Sequence, residues 1–215
     1  MSYPAFLCLI MNTITAIEDQ KGRKDRVNVF LGGSFAFSLE REVVQQQGLL
    51  PGQSLSASQI DELVRADLFG KCLEAALRLL SYRPRSEAEI RQRLYRRFEK
   101  ETIDRVVLHL RERRIVDDAA FARFWTENRE SFSPRSKRLL KMELRRKGID
   151  SEVVDEVLEG VDDEESAYRA AQRKGRKLGK DYETFRQKLG AFLGRRGFSY
   201  DVINRTIERL WQESS

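Results

Sequence analysis

PRSEAEIRQRLYRR at residues 84–97 returns as PRSKRLLKMELRRK at residues 134–147, without a gap and displaced by 50 positions. Pro-Arg-Ser opens both copies, Ile90 and Leu94 fall on Leu140 and Leu144, and a basic pair closes each, Arg96-Arg97 and Arg146-Lys147. A serine ahead of apolar residues spaced four apart predicts a capped, amphipathic helix. The same helix is therefore written twice. A helix this short buries one narrow stripe, so its recurrence predicts units that stack on one another.

A third copy, FRQKLGAFLGRRGFSYDVINRTI (185–207), follows the second at a displacement of 49. Its Leu189 and Leu193 take the places of Leu140 and Leu144. Beyond each basic pair lies a second apolar helix, carrying Ile103, Val107 and Leu108, then Val153, Val157 and Leu158, then Val202 and Ile207. A longer helix leads each copy; in the second it is DDAAFARFWTENRESF (117–132). Three helices per copy predict a mostly α protein, an elongated tandem array of three three-helix repeats at residues 66–116, 117–162 and 163–215.

Residues 12–65 read differently. ITAIE (14–18), VNVFL (27–31) and SFAFSL (34–39) alternate as strands do, and Gly32-Gly33 between the last two is a hairpin signal. Lys21-Gly22-Arg23-Lys24 marks an earlier turn. Residues 40–47 look helical, and Leu50-Pro51-Gly52 breaks that helix. In SLSASQIDEL, Ser58 is the expected N-cap of a long helix running to about Tyr82, with Asp61 and Glu62 in its first turn. The prediction here is a small β-hairpin/helix module, preceded by a disordered start at residues 1–11.

Apolar residues make up 40% of the chain and charged ones 34%, a balance that favours a surface-rich shape but still supplies cores. Of the two cysteines, Cys72 lies in an apolar helical run and is expected to be a buried thiol, and Cys8 has no partner at framework spacing. In MSYPAFLCLIM the apolar stretch is short and no cation precedes it, so an export signal is not expected. No run reaches the roughly 20 apolar residues of a membrane span. A reducing cytoplasm is the expected location.

The net charge of +6 is uneven. Residues 1–65 hold 6 basic and 7 acidic side chains, whereas residues 66–215 hold 34 and 27. Within the repeats the ratios are 13 to 8, 9 to 11 and 12 to 8. The outer repeats are thus expected to touch DNA phosphates or an acidic surface, with the middle repeat spacing them. Candidate contacts are Arg96 and Arg97; Arg145, Arg146 and Lys147; Arg195 and Arg196; and the RKGRKLGK run (173–180) with Arg173, Lys174, Arg176, Lys177 and Lys180. Cations in a last helical turn also complement the helix dipole, and Gly148 and Gly197 fit as C-caps, although Phe98 stands at that place in the first repeat. Both explanations stay open.

Catalytic signals are sparse. His109 is the only histidine and stands in VVLHLRER without ligand-spaced company, so it reads as structural. GRKLGKD (175–181) lacks the spacing, the hydroxyl residue and the preceding strand of a phosphate loop. Asp117-Asp118 and Asp162-Asp163 sit where N-caps belong. Phe121, Phe124 and Trp125 are candidates for base stacking, but Phe121 and Trp125 share a helix face, which points to core packing, and Trp211 reads as a core lid. The chain is expected to be a non-enzyme without metal or cofactor.

RPRSEAEIRQRL (83–94), IVDDAAFARFW (115–125) and SPRSKRLLKMELRRKGIDSEVV (133–154), in this order and spacing, resemble the RecX family of recombination regulators. The resemblance covers residues 70–213, and the hairpin module looks like the extension many members carry. It departs at RRFEKET, where a Lys-Gly turn is usual, and in the leading helix of the third repeat. It implies a protein that binds the recombinase RecA and its single-stranded-DNA filament, and that modulates, usually inhibits, RecA's ATPase, strand exchange and coprotease activities in recombination and SOS repair. A monomer is expected because the array needs no partner to bury its repeats. Helix–glycine–helix units also suggest an alternative, a general DNA-binding protein or transcription regulator. The acidic, aliphatic SEVVDEVL is poorly suited to reading base edges.

Overall fold

A computed structural model describes residues 12–22, 25–176, 178 and 181–214. The expectations for residues 1–11, Cys8, Lys177 and Lys180 fall outside them, as do Arg23 and Lys24 of the early turn. The chain divides into two compact units, one running to Tyr82 and including Arg93–His109, the other comprising Arg83–Gln92 and the chain from Leu110 onward.

In the first unit, alternation becomes an antiparallel sheet of order β1-β2-β3: β1 (Ile14–Asp19), β2 (Arg26–Leu31) and β3 (Ser34–Glu40). Gly32 and Gly33 join β2 to β3 with φ of 55° and 85°, the doubly positive turn that matches strand twist and that only glycine adopts without strain. The inward positions Ile14, Val29, Phe37 and Leu39 pack with Leu49, Leu55 and Leu63. After α1 (Arg41–Gln46) comes the expected break at Pro51-Gly52, then α2 (Ala57–Tyr82).

The cap of α2 differs from expectation. It is Ser56, not Ser58: Ser56 Oγ accepts from the Gln59 amide at 3.2 Å while Gln59 Oε1 accepts from the Ser56 amide at 2.8 Å. This reciprocal capping box satisfies two free donors at once, which Ser58 with Asp61 does not do. Asp67, buried on α2, pairs with buried Arg26 of β2 and with Lys71 at 2.6 Å. Cys72 is a buried free thiol, and burial pushes it up to about 11, so it is an inert core residue.

The repeats continue through α3 (Glu87–Leu94), α4 (Lys100–Glu112), α5 (Asp118–Phe132), α6 (Lys137–Arg146), α7 (Ser151–Leu158), α8 (Asp163–Gly175), α9 (Tyr182–Arg195) and α10 (Tyr200–Ser214). The protein is mostly helical, with one small sheet at its N-terminal side and three three-helix repeats behind it. In the second unit one core joins α5, α6 and α7 through Phe121, Leu140, Leu144, Val154 and Leu158. Another joins α8, α9 and α10 through Ala171, Phe185, Leu189, Leu193 and Ile207. Trp211 closes the latter, with its ring 5.2 Å from those of Tyr182 and Phe185.

Burial corrects the repeat register beyond the basic pair. Ile103 and Val107 are buried in the first repeat, and Val154 and Leu158 in the second, a displacement of 51. Leu108, matched to Leu158 at a displacement of 50, is 53% exposed. Phe98 therefore corresponds to the buried Ile149 and Phe198, and the first repeat simply lacks the glycine. One residue fewer in the turn rotates the following helix by about 100° relative to an ungapped match.

Candidate nucleic-acid interface

The second unit shows what the repeated Pro-Arg-Ser turn does. Ser86 Oγ donates to the Lys147 carbonyl at 2.6 Å, and the Ser136 amide donates to the Arg196 carbonyl at 3.0 Å. Each repeat's turn thus seats on the basic-pair turn of the repeat after it. The paired aspartates add a second tie. Asp117 and Asp162 cap their own helices, accepting from Ala120 and Glu164 at 2.9 and 2.8 Å. Their neighbours cap the preceding repeat: Asp118 accepts from the Glu87 amide at 2.8 Å and Asp163 from the Lys137 amide at 2.6 Å.

These joints need glycine. At Gly148, with φ 79°, an added Cβ would overlap that of Ala88. At Gly197, with φ 86°, it would lie 2.6 Å from Ser136 Oγ and 3.1 Å from Leu139 Cβ. The glycines therefore end helices and also let the Pro-Arg-Ser turn of the preceding repeat approach.

The joints sort the candidate cations into two kinds. Lys147 turns inward: its ammonium meets Glu89 at 2.7 Å and lies 4.1 Å from the Trp125 ring centre and 5.7 Å from that of Phe121. Arg196, in the same column, donates to Ser133 Oγ at 3.0 Å and the Pro134 carbonyl at 2.8 Å and rests 4.5 Å over Phe192. Burial, and then the neighbouring Arg129, lower the basicity of Arg196. Arg97, the first-repeat member of this column, is exposed and leans over Phe98 at 5.8 Å.

By contrast Arg96, Arg146 and Arg195, the other column, are exposed, and none has an acidic partner among the described residues. Arg145 is exposed beside them. Arg173 and Lys174 in the last turn of α8, and Arg176 just after it, are exposed as well.

Three candidates meet at one place. Arg173 and Lys174 of α8 and Arg196 after α9 line a cavity of about 430 Å³, together with Arg169, Phe132 and Phe192. Among the described residues Glu130 is the one carboxylate there, and it is engaged by Ser166 at 2.7 Å and by Arg169. Nearby on α6, Glu143 receives Arg129 and the Trp125 indole, each at 2.9 Å, and also Arg135, whose basicity Arg196 of the cavity helps to lower. Burial, then Arg129 and Arg196, lower the basicity of Arg135, as expected where guanidiniums outnumber carboxylates.

Sequence reasoning missed Glu89, Glu143, Arg169 and Phe132. A signal existed for the last: Tyr82 and Phe132 stand 50 positions apart, each just ahead of a repeated Pro-Arg-Ser turn. Trp125 packs against Phe121 with ring centres 6.0 Å apart, and buried Phe121 confirms core use of that face, while Phe124 is exposed. His109 sits edge-on to Phe69, ring centres 5.4 Å apart. Helix α7 exposes Glu152, Asp155 and Glu156, three charges that duplex phosphates would repel. Among the described residues no helix is long and apolar enough to cross a membrane, and no His, Cys, Asp or Glu group could hold a metal.

Four family models match the chain in succession. The regulatory protein RecX N-terminal domain covers residues 12–56, and the first, second and third RecX three-helix domains cover 72–110, 117–158 and 162–207. The regulatory protein RecX of Clostridium perfringens (strain SM101 / Type A) is 32% identical over 207 residues, 93% of this chain and 97% of its own. That of Bacillus velezensis is 34% identical over 212 residues, 95% of this chain and 80% of its own. A crystal structure of regulatory protein RecX superposes with a TM-score of 0.65 at 28% identity, covering 91% of this chain and 98% of the other. The crystal structure of RecX from Lactobacillus salivarius gives 0.58 at 26% identity, covering 67% and 97%.

Proposed function

The chain belongs to the RecX family of regulatory proteins, and on that premise we propose that it binds RecA and RecA's single-stranded-DNA filament and inhibits the filament's ATPase, strand exchange and coprotease activities. It acts in the cytoplasm as a monomer, without catalysis or cofactor. The observation that supports contact with a polyanion is the recurring exposed column Arg96, Arg146 and Arg195. Helix-end capping accounts for a cation there, but it does not require a residue kept clear of acidic partners in all three repeats.

Single-strand-dependent ATP hydrolysis by RecA, followed with this protein added below RecA's stoichiometry, tests the regulatory reading. Slowed hydrolysis and shortened filaments are expected; unchanged hydrolysis, strand exchange and filament length would reject it. Strong sequence preference for a duplex would instead favour a transcription regulator.

The two columns are expected to behave differently. Arg96→Gln, Arg146→Gln and Arg195→Gln together should weaken single-strand binding and reduce the slope of log affinity against log salt by about 2. The melting temperature should fall by only a few degrees, since the three lost dipole interactions together cost about 1–3 kcal/mol. Lys147→Gln, which removes an inward-turned cation paired with Glu89, should do the reverse, lowering stability more than salt slope. If the first set alters only stability, the column serves capping alone.

A further inference from the structure

We infer that the cavity between the end of α5, α8 and the end of α9 holds one nucleotide of a single strand, its base stacked on Phe132 and its phosphate on Arg173, Lys174 and Arg196. This deepens the filament reading above and rests on it, by assigning direct strand contact to a defined place.

The first support is Phe132 itself. It ends α5 and is 76% exposed, so the core does not account for it. Tyr82 ends α2 in the corresponding column and is 78% exposed. Among the described residues these are the two most exposed large apolar side chains. Holding a ring in water at the same point of two repeats forgoes the roughly 1.5–3 kcal/mol that burying it would give, which is sensible where a ligand covers it.

The second support is charge. Among the described residues four cations line the cavity against one carboxylate, and Glu130 is already engaged by Arg169 and Ser166. Arg173 and Lys174 have no acidic partner among the described residues, so their charge faces outward. Arg196 is fixed by Ser133, the Pro134 carbonyl and the Phe192 ring, which presents its guanidinium without further ordering.

The third support is size. About 430 Å³ lies within the roughly 300–1,000 Å³ of small-ligand sites and suits a single nucleotide. An aromatic face beside cations recognises a ligand with both a π-face and a phosphate. A paired base has both faces covered by its neighbours, so the ligand is a single strand and not a duplex. Stacking accepts every base, so no sequence preference follows.

Fluorescence anisotropy with the full chain tests this, using a fluorescein-labelled oligothymidine strand and an abasic strand of equal length. The wild type should prefer the base-bearing strand by about tenfold. Phe132→Ala should abolish that preference without changing abasic affinity or salt slope, and Phe132→Trp should restore it. Arg173→Gln with Lys174→Gln should weaken both strands alike and reduce the salt slope by about 1.4. A preference that survives Phe132→Ala, or a slope that ignores the double substitution, overturns the assignment. So does a Phe132→Ala protein that binds strands normally yet no longer affects RecA, because the cavity then docks protein while the regulatory reading stands. A wild type without effect on RecA rejects the regulatory reading, and the strand measurements still decide the cavity.

Discussion

Gly148→Ala is expected to destabilise the protein by about 2–5 kcal/mol, with the loss located at the joint between the first and second repeats. Two independent terms contribute. Gly148 has φ 79°, where a side chain costs roughly 1–2 kcal/mol. Its new Cβ would also overlap the Ala88 Cβ, and overpacking of this kind costs about 1–3 kcal/mol. Relief by movement is poor, because Ser86 grips the Lys147 carbonyl at 2.6 Å on one side and Asp118 holds the Glu87 amide at 2.8 Å on the other.

The two terms separate in a double-mutant cycle. Ala88→Gly removes the atom that the new Cβ strikes and leaves the dihedral cost untouched. In urea titrations, Gly148→Ala and Ala88→Gly combined should therefore be more stable than additivity predicts, by about 1–3 kcal/mol. Strict additivity would show that the joint opens freely, and the glycine would then serve only as a helix terminator.

That joint also shows what the sequence made legible. Strand alternation, the Gly32-Gly33 turn and the repeated helix are local signals, in which each residue's neighbours in sequence are its neighbours in space. The basic columns were legible for the same reason. Their division into inward and outward members was not, because Lys147 is turned inward by Glu89, 58 positions away. Asp118 and Asp163 look like second residues of an N-cap, yet each caps a helix of the preceding repeat. The slip at Phe98 has a simpler origin. An ungapped match cannot notice a missing turn residue when both helices are apolar at several registers, and only burial distinguishes Val107 from Leu108. The exposure of Phe132 is not legible in the sequence, because an aromatic residue at a helix end looks the same in sequence whether it is buried or, as here, exposed.

Glu89→Gln is the second large effect, and its signature is pH dependence. Glu89 accepts from Arg83 at 2.9 and 3.1 Å and from Lys147 at 2.7 Å. Partial burial works against its charge, but the hydrogen bonds and charges of Arg83 and Lys147 prevail and hold the carboxyl at about 2, below an ordinary 4.5. A carboxylate depressed on folding binds fewer protons in the native state than in the unfolded chain. Its stabilisation is therefore complete above about pH 4.5 and is lost as the pH falls towards 2.

The difference corresponds to ~3 kcal/mol at neutral pH. Arg83 is 44% exposed and Glu89 18%, so solvent screening reduces this to about 2 kcal/mol. Glutamine keeps the shape and removes the charge, leaving Lys147, only 17% exposed, with its aromatic contacts but no carboxylate. The free-energy gap between wild type and Glu89→Gln should be constant from pH 7 to about pH 5 and should narrow steadily towards pH 3. Subtracting the variant cancels the other carboxylates, so the narrowing belongs to Glu89. A gap that stays the same throughout would mean that the substitution acts through packing, and that the charge of Glu89 does not hold the first repeat to the second.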